Sequence, residues 1–186
     1  SEWPFIYAAL PKILEGSHYQ IQSLCDSLGR FLHITNRWDE AFTINQIAEK
    51  KAVEEDDYKI AGWRAYELGM LYAERMQIDK LLACADRAEK YWGEKNARHK
   101  AIVLEMKGRA CYLSKDYQAA IVYIKKALEI HRNIDSYGTD IAAALNSLGL
   151  VEAFNNYFLT AERNYREAVE IKKAQKRPKG VEIYTS

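Results

Sequence analysis

Four glycines set the frame for this chain of 186 residues: Gly29, Gly69, Gly108 and Gly149 stand 40, 39 and 41 residues apart. Their surroundings recur in register. Twelve residues after each glycine stand Ala41, Leu81, Ala120 and Ala161, and nineteen after stand Ala48, Ala88, Ala127 and Ala168. A fixed period of this length marks an array of supersecondary units, each burying its apolar face against the next. Only 9 Gly and 3 Pro serve the whole chain, a poor supply of turn formers for a many-stranded sheet, so the units are predicted to be helical.

Each unit reads as two helices and a short turn. In residues 139–173, Leu145, Leu148 and Val151 recur every three residues on one apolar face, and Ala161, Tyr165, Ala168 and Val169 mark a second face after a break at Asn155 and Asn156. A glycine inside a helix costs about 1 kcal/mol relative to alanine, so its return at one phase of every unit requires a compensating reason. Close approach of the partner helix supplies one. The alanine at the second offset serves the same crossing from the other side, leaving Tyr72, Ile124 and Tyr165 to fill the layers between hairpins.

This spacing predicts four hairpins, at about 17–56, 57–96, 97–138 and 139–178. Ser17 followed by Gln20 is a capping-box pattern for the first of them. Turns within hairpins are expected at 36–39, 76–79 and 114–116. Links between hairpins are expected at 54–57, 93–96 and 133–139, with Gly138 as a turn residue. Residues 1–16 read as a leading helix interrupted or kinked at Pro11, either a cap or the remnant of a preceding hairpin. After a break at Pro178 and Gly180, residues 179–186 read as the start of a truncated helix. With Ser1 at one end and VEIYTS at the other, the chain reads as a piece of something longer.

The residues around the glycines resemble the tetratricopeptide repeat. Its first helix carries Leu-Gly followed after two spacers by Tyr, and its second carries Ala, three spacers, an aromatic, two spacers and Ala. Unit two reads AYELGMLY, and unit four reads LNSLG followed by AERNYREA; unit three, LEMKGRAC, has Lys107 in place of the leucine. Unit one departs furthest, with Asn45 where an aromatic is usual. The resemblance covers 17–175 and implies an all-α, right-handed superhelical solenoid of antiparallel helix hairpins. The period of about 40 is similar to that of kinesin light chain repeats and of the C-terminal repeats of bacterial STAND or NB-ARC signalling ATPases. It implies a sensor or partner-binding arm of such an ATPase, whose phosphate loop would lie elsewhere, because no GxxxxGK[ST] occurs here.

Catalytic and metal chemistry find no pattern. His18, His33, His99 and His131 are dispersed, without HExxH or an i, i+4 pair, and no GxSxG occurs; the expectation is no catalytic residue, no metal and no cofactor. Cys25, Cys84 and Cys111 are odd in number and far apart, so they read as small buried hydrophobes rather than a disulfide framework. Lys and Arg total 27 against 26 Asp and Glu, which removes bulk basicity as a route to nucleic acid. The tract Lys172, Lys173, Lys176, Arg177 and Lys179 reads as a solvated helix C-terminus, with contact to nucleic acid or an acidic partner as its alternative. No apolar run approaches the roughly 18 residues of a membrane helix, and no signal peptide is seen; a cytoplasmic chain without membrane partners is expected.

In tetratricopeptide proteins the ligand lies along the concave face made by first helices. Carried over position by position, the resemblance implies a partner-binding groove at Arg30, Trp63, Tyr66, Glu67, Met70, Glu105, Arg109, Tyr112, Asn146 and Phe154, and the same offsets also give Asp26, Ser27, His33, Ile34, Ala73, Glu74, Met106, Leu113, Ser147, Leu150 and Ala153. Arg30, Arg109 and Asn146 suit a carboxylate or peptide backbone, and the aromatics suit apolar side chains. The function expected is non-enzymatic binding of a protein or peptide segment. The alternative is a spacer or self-association scaffold, with homo-oligomers forming through exposed solenoid ends.

Overall fold

The computed structural model describes residues 3–93, 96–134 and 138–176 and contains helices alone among them. In chain order they are α1 (Trp3–Leu14), α2 (His18–Ile34), α3 (Trp38–Glu54), α4 (Tyr58–Glu74), α5 (Ile78–Trp92), α6 (Ala97–Leu113), α7 (Tyr117–Asn133), α8 (Gly138–Phe154) and α9 (Phe158–Lys176). The fold class is all-α and tetratricopeptide-like, as the resemblance implied. Pro11 lies within α1. Gly138 is the first residue of α8 rather than a turn residue, and a Cβ there would come within 2.9 Å of Ile171 on α9. The basic residues Arg177 and Lys179 and the trailing segment 179–186 lie outside the described residues.

The chain forms two compact units, Ser1–Lys95 and Asn96–Ser186. In the first, α2 packs on α3, α3 on α4 and α4 on α5; in the second, α6 packs on α7, α7 on α8 and α8 on α9. The recurring positions, alanine at seven of eight, lie where these helices approach. Ala41, Leu81, Ala120 and Ala161 are all at most 4% exposed, and Ala48, Ala88, Ala127 and Ala168 at most 1%. Around them the second unit builds a core of Ile121, Ile124, Leu128, Leu145, Leu148 and Val151.

Turns within the hairpins share one chemistry. Asn36, Met76, Lys115 and Asn156 all adopt positive φ, between 55° and 65°, each seven residues after its repeat glycine. The next amide then reaches back to the carbonyl five residues earlier: Arg37 N–H to Leu32 O, Gln77 to Tyr72 and Asp116 to Cys111 at 2.9 Å, and Tyr157 to Glu152 at 2.8 Å. This is the Schellman closure, which satisfies carbonyls that a helix end leaves orphaned. Asp56, with φ 56°, repeats it between α3 and α4, where Asp57 N–H donates to Ala52 O. The helix starts are capped locally as well. Ser17 and Gln20 form a complete capping box, and the side chains of Asp57, Asn96 and Asp116 accept from Ile60, His99 and Ala119 amides.

The glycines differ in what they face. A Cβ on Gly149 would lie 3.0 Å from the Tyr165 ring, and one on Gly108 would lie 2.9 Å from Ile124, so at both crossings a larger residue requires the facing side chain to shift. Gly29 corrects the expectation of close approach in every unit: nothing lies within 4 Å of its Cβ direction. The facing residue sixteen positions on is Asn45 in place of a large apolar side chain, so this crossing is underfilled. A further close approach is absent from the repeat pattern: Gly62 lies under the Trp92 indole, whose Nε1 donates to Lys59 O at 3.0 Å.

Candidate functional site

Where the crossing at Gly29 is underfilled, a cleft of about 210 Å³ opens between α2 and α4, with α3 behind it. Gly29, Ala41 and Asn45 form its floor. Tyr66, Met70 and Leu71 give it an apolar side, and Glu67, Glu74 and His33 stand around the opening. Asn45 is 7% exposed and donates through Nδ2 to Ala41 O at 3.0 Å, one helical turn back. Its Oδ1 is buried and has no hydrogen-bond partner. An acceptor left in this state costs about 1–3 kcal/mol, so position 45 is tuned neither for packing nor for a closed polar network.

A buried guanidinium organises the same face. Arg64 on α4, 4% exposed, donates through Nε to Gln22 Oε1 at 2.7 Å and through its terminal nitrogens to Asp26 at 2.6 Å and Glu67 at 2.8 Å. Gln22 Nε2 in turn donates to Ala48 O at 2.9 Å. Burial works against the charge on Arg64, but Glu67 and Asp26 outweigh it, so its pKa stands above the ordinary guanidinium value. These contacts hold Glu67 in place by one oxygen at the side of the cleft. Arg64 lies one residue past the transferred position Trp63 and is not among the transferred groove positions. Its i, i+3 pairing with Glu67 was the local signal available.

The other groove positions divide between exposed surface and packing. Arg30 and Arg109 are exposed, in the first and second units respectively, and Asn146 is half-buried on α8. Trp63 is half-buried and engaged edge-on with both Tyr66, at 5.8 Å between ring centroids, and Trp92, at 5.2 Å; it belongs to the packing of α4 on α5 as much as to the surface. Tyr112 meets Phe154 edge-on at 5.5 Å, and Tyr117 on α7 completes the cluster 5.8 Å from Phe154, which is 53% exposed. Glu105 faces the buried His131 at 3.4 Å. Met106 and Ala73, at 1% and 2% exposure, are core residues rather than groove residues, because their turn of helix points into the hairpin interior.

Further ion pairs join other helices within each unit. Glu49 on α3 accepts from Arg87 on α5 at 2.6 and 3.1 Å and from the Tyr91 hydroxyl at 3.2 Å. In the second unit Arg98 grips Asp140 at 2.8 Å, and the buried Glu152 accepts from Asn164 at 2.8 Å beside Lys125. The three thiols are single; Cys25 Sγ donates to Ile44 O at 3.7 Å, and burial pushes its pKa up to about 12. No group of three or more His, Cys, Asp or Glu able to hold a metal ion occurs among the described residues, and no described helix is long and apolar enough to cross a membrane.

Comparison with known proteins agrees with this geometry. No curated protein matches the chain. Among solved structures, BtubC (BKLC) from P. vanneervenii superposes with a TM-score of 0.68 at 19% sequence identity, over 85% of this chain and 64% of BtubC; at that identity the likeness speaks for the fold. The chain therefore spans slightly less than two thirds of the length of that relative. Residues 100–174 match the tetratricopeptide repeat family. The match to tetratricopeptide repeats thus covers 100–174, and the described helix hairpins ahead of that stretch have the same fold.

Proposed function

We propose that the chain is a non-enzymatic binding module that takes an extended protein segment along the face of its first helices. One observation carries the reading: in each unit that face presents partly exposed aromatic side chains beside charged groups. The first has Tyr66 and Met70 with Glu67 and Arg30; the second has Tyr112 and Phe154 with Arg109. Aromatic side chains remove large apolar areas from water, whereas Arg and Asn set direction through hydrogen bonds. The long repeat period further supports a place in a larger cytoplasmic signalling protein of the STAND ATPase type, testable by whether the parent gene encodes a nucleotide-binding module.

The test is selection of peptides from a displayed random library against the whole chain, followed by titration. Affinities near micromolar are expected, equivalent to about 8 kcal/mol. Tyr66→Ala or Tyr112→Ala should each weaken binding by more than about 1 kcal/mol with helicity unchanged, while charge reversal at Lys172 and Lys173 should have little effect. Selected peptides that ignore both tyrosines and depend on the lysines would move the site off the first-helix face.

A second reading, self-association, has its own support in the exposed apolar residues of α9: Phe158 at 64%, Leu159 at 84% and Val169 at 47% exposure. Sedimentation at high concentration checks it. A concentration-dependent dimer that Leu159→Lys abolishes is the outcome it requires.

A further inference from the structure

We propose that the cleft between α2 and α4 is a receptor for one basic side chain, arginine or lysine, of the bound protein segment. The proposal rests on the groove reading and adds the chemistry of the residue that the partner must carry.

Size comes first. Sites for whole drug-sized ligands run to about 300–1,000 Å³, and 210 Å³ suits a single long side chain instead. Asn45 stands opposite Gly29 with nothing reaching the glycine, whereas Tyr165 closes over Gly149 and Ile124 over Gly108 in the second unit.

Charge comes second. Two carboxylates, Glu67 and Glu74, line the cleft, and no lysine or arginine does. Arg64 is the cation that borders it, and that guanidinium is buried and shared between Asp26, Glu67 and Gln22. Only one Glu67 oxygen is engaged by it. Arg30 is exposed next to Gly29 but does not line the cleft.

Hydrogen-bonding capacity comes third. Asn45, more than nine-tenths buried in the cleft floor, keeps Oδ1 without a donor, while its Nδ2 is already committed to Ala41. A hydrogen-bond donor brought to the floor, and not an acceptor, is what Asn45 favours. A guanidinium or ammonium supplies one, and its aliphatic stem lies along Tyr66, Met70 and Leu71. An acidic side chain meets two like charges and an acceptor; an apolar one leaves the acceptor orphaned.

The experiment uses fluorescein-labelled peptides derived from a library-selected binder, differing at one position as Arg, Lys, Gln, Leu or Glu, titrated against the whole chain by fluorescence anisotropy. Arg and Lys peptides should bind at least about tenfold more tightly than Gln, Leu or Glu peptides. Gly29→Leu fills the open space and should erase that preference while thermal stability is kept or raised; Glu67→Gln and Glu74→Gln should each reduce it. Peptide binding with no basic preference, or a preference that survives Gly29→Leu, overturns the cleft assignment and leaves the groove reading standing. Failure of every selected peptide to compete along the first-helix face overturns both.

Discussion

Met76 and Lys115 hold left-handed backbone positions that glycine and asparagine fill at lower cost. The same turn position in the outer hairpins carries Asn36 and Asn156. Replacing Met76 or Lys115 by Asn should therefore raise stability by a few tenths to about 1 kcal/mol, read from urea midpoints at unchanged slope, and Asn156→Met should lower it by a similar amount. Glycines at the helix crossings test a second residue-level claim, because two chemically identical substitutions should differ in sign. Gly149→Leu meets the Tyr165 ring and should cost about 1–3 kcal/mol. Gly29→Leu enters open space and gains up to about 1 kcal/mol from helix propensity. Equal losses in thermal unfolding would falsify the distinction. Position 45 illustrates why the sequence alone stopped short here: Asn45 is visibly unlike an aromatic, but whether neighbours collapse onto the vacated space depends on their packing.

Between elements, the ion pairs join helices of successive hairpins within a unit. Arg64 links α4 to α2 through Gln22 and Asp26, and Arg87 links α5 to α3 through Glu49. Their burial separates them from decoration. Arg64→Met strands a buried Gln22 acceptor and loosens Glu67, and should cost about 2–3 kcal/mol. Arg75→Ala removes a bond to an Asp39 that is 90% exposed and should cost under about 1 kcal/mol. Chemical denaturation of the two variants side by side checks the ranking. Element ends were the most legible part of this level, since the Ser17 and Gln20 box is a contact between residues three apart. The Arg64 network was not, because its partners lie 42 and 38 residues away and ion pairing carries no periodic signature.

At the scale of the whole molecule, the thiols report how well each part excludes water. Cys25 and Cys84 are buried and Cys111 is half-buried, and burial raises all three thiol pKa values, Cys25 to about 12. At pH 8 a disulfide reagent should label Cys111 before Cys25 and Cys84, with all three reacting together only in denaturant. A raised thiol pKa in the folded state means that the unfolded chain loses its proton first as pH rises. Stability from Cys25 is then complete below about pH 9 and declines between about 9 and 12; Cys25→Ala should flatten that limb of a stability–pH profile. By itself the sequence determined the helical class, the repeat and the small residues of the helix crossings, because 3.6-residue periodicity, capping and the repeat distance are properties of order along the chain. It also held the transferred positions Tyr66, Glu67 and Met70, which the structure places on one cleft. Tertiary structure alone decided which glycine is crowded, that Trp63 is shared with Trp92, that Met106 and Ala73 are core, and that a cleft remains beside Asn45. Each of these depends on the separation of two packed helices, and that separation is set by the summed volumes of all side chains at the crossing, which no local rule of sequence contains.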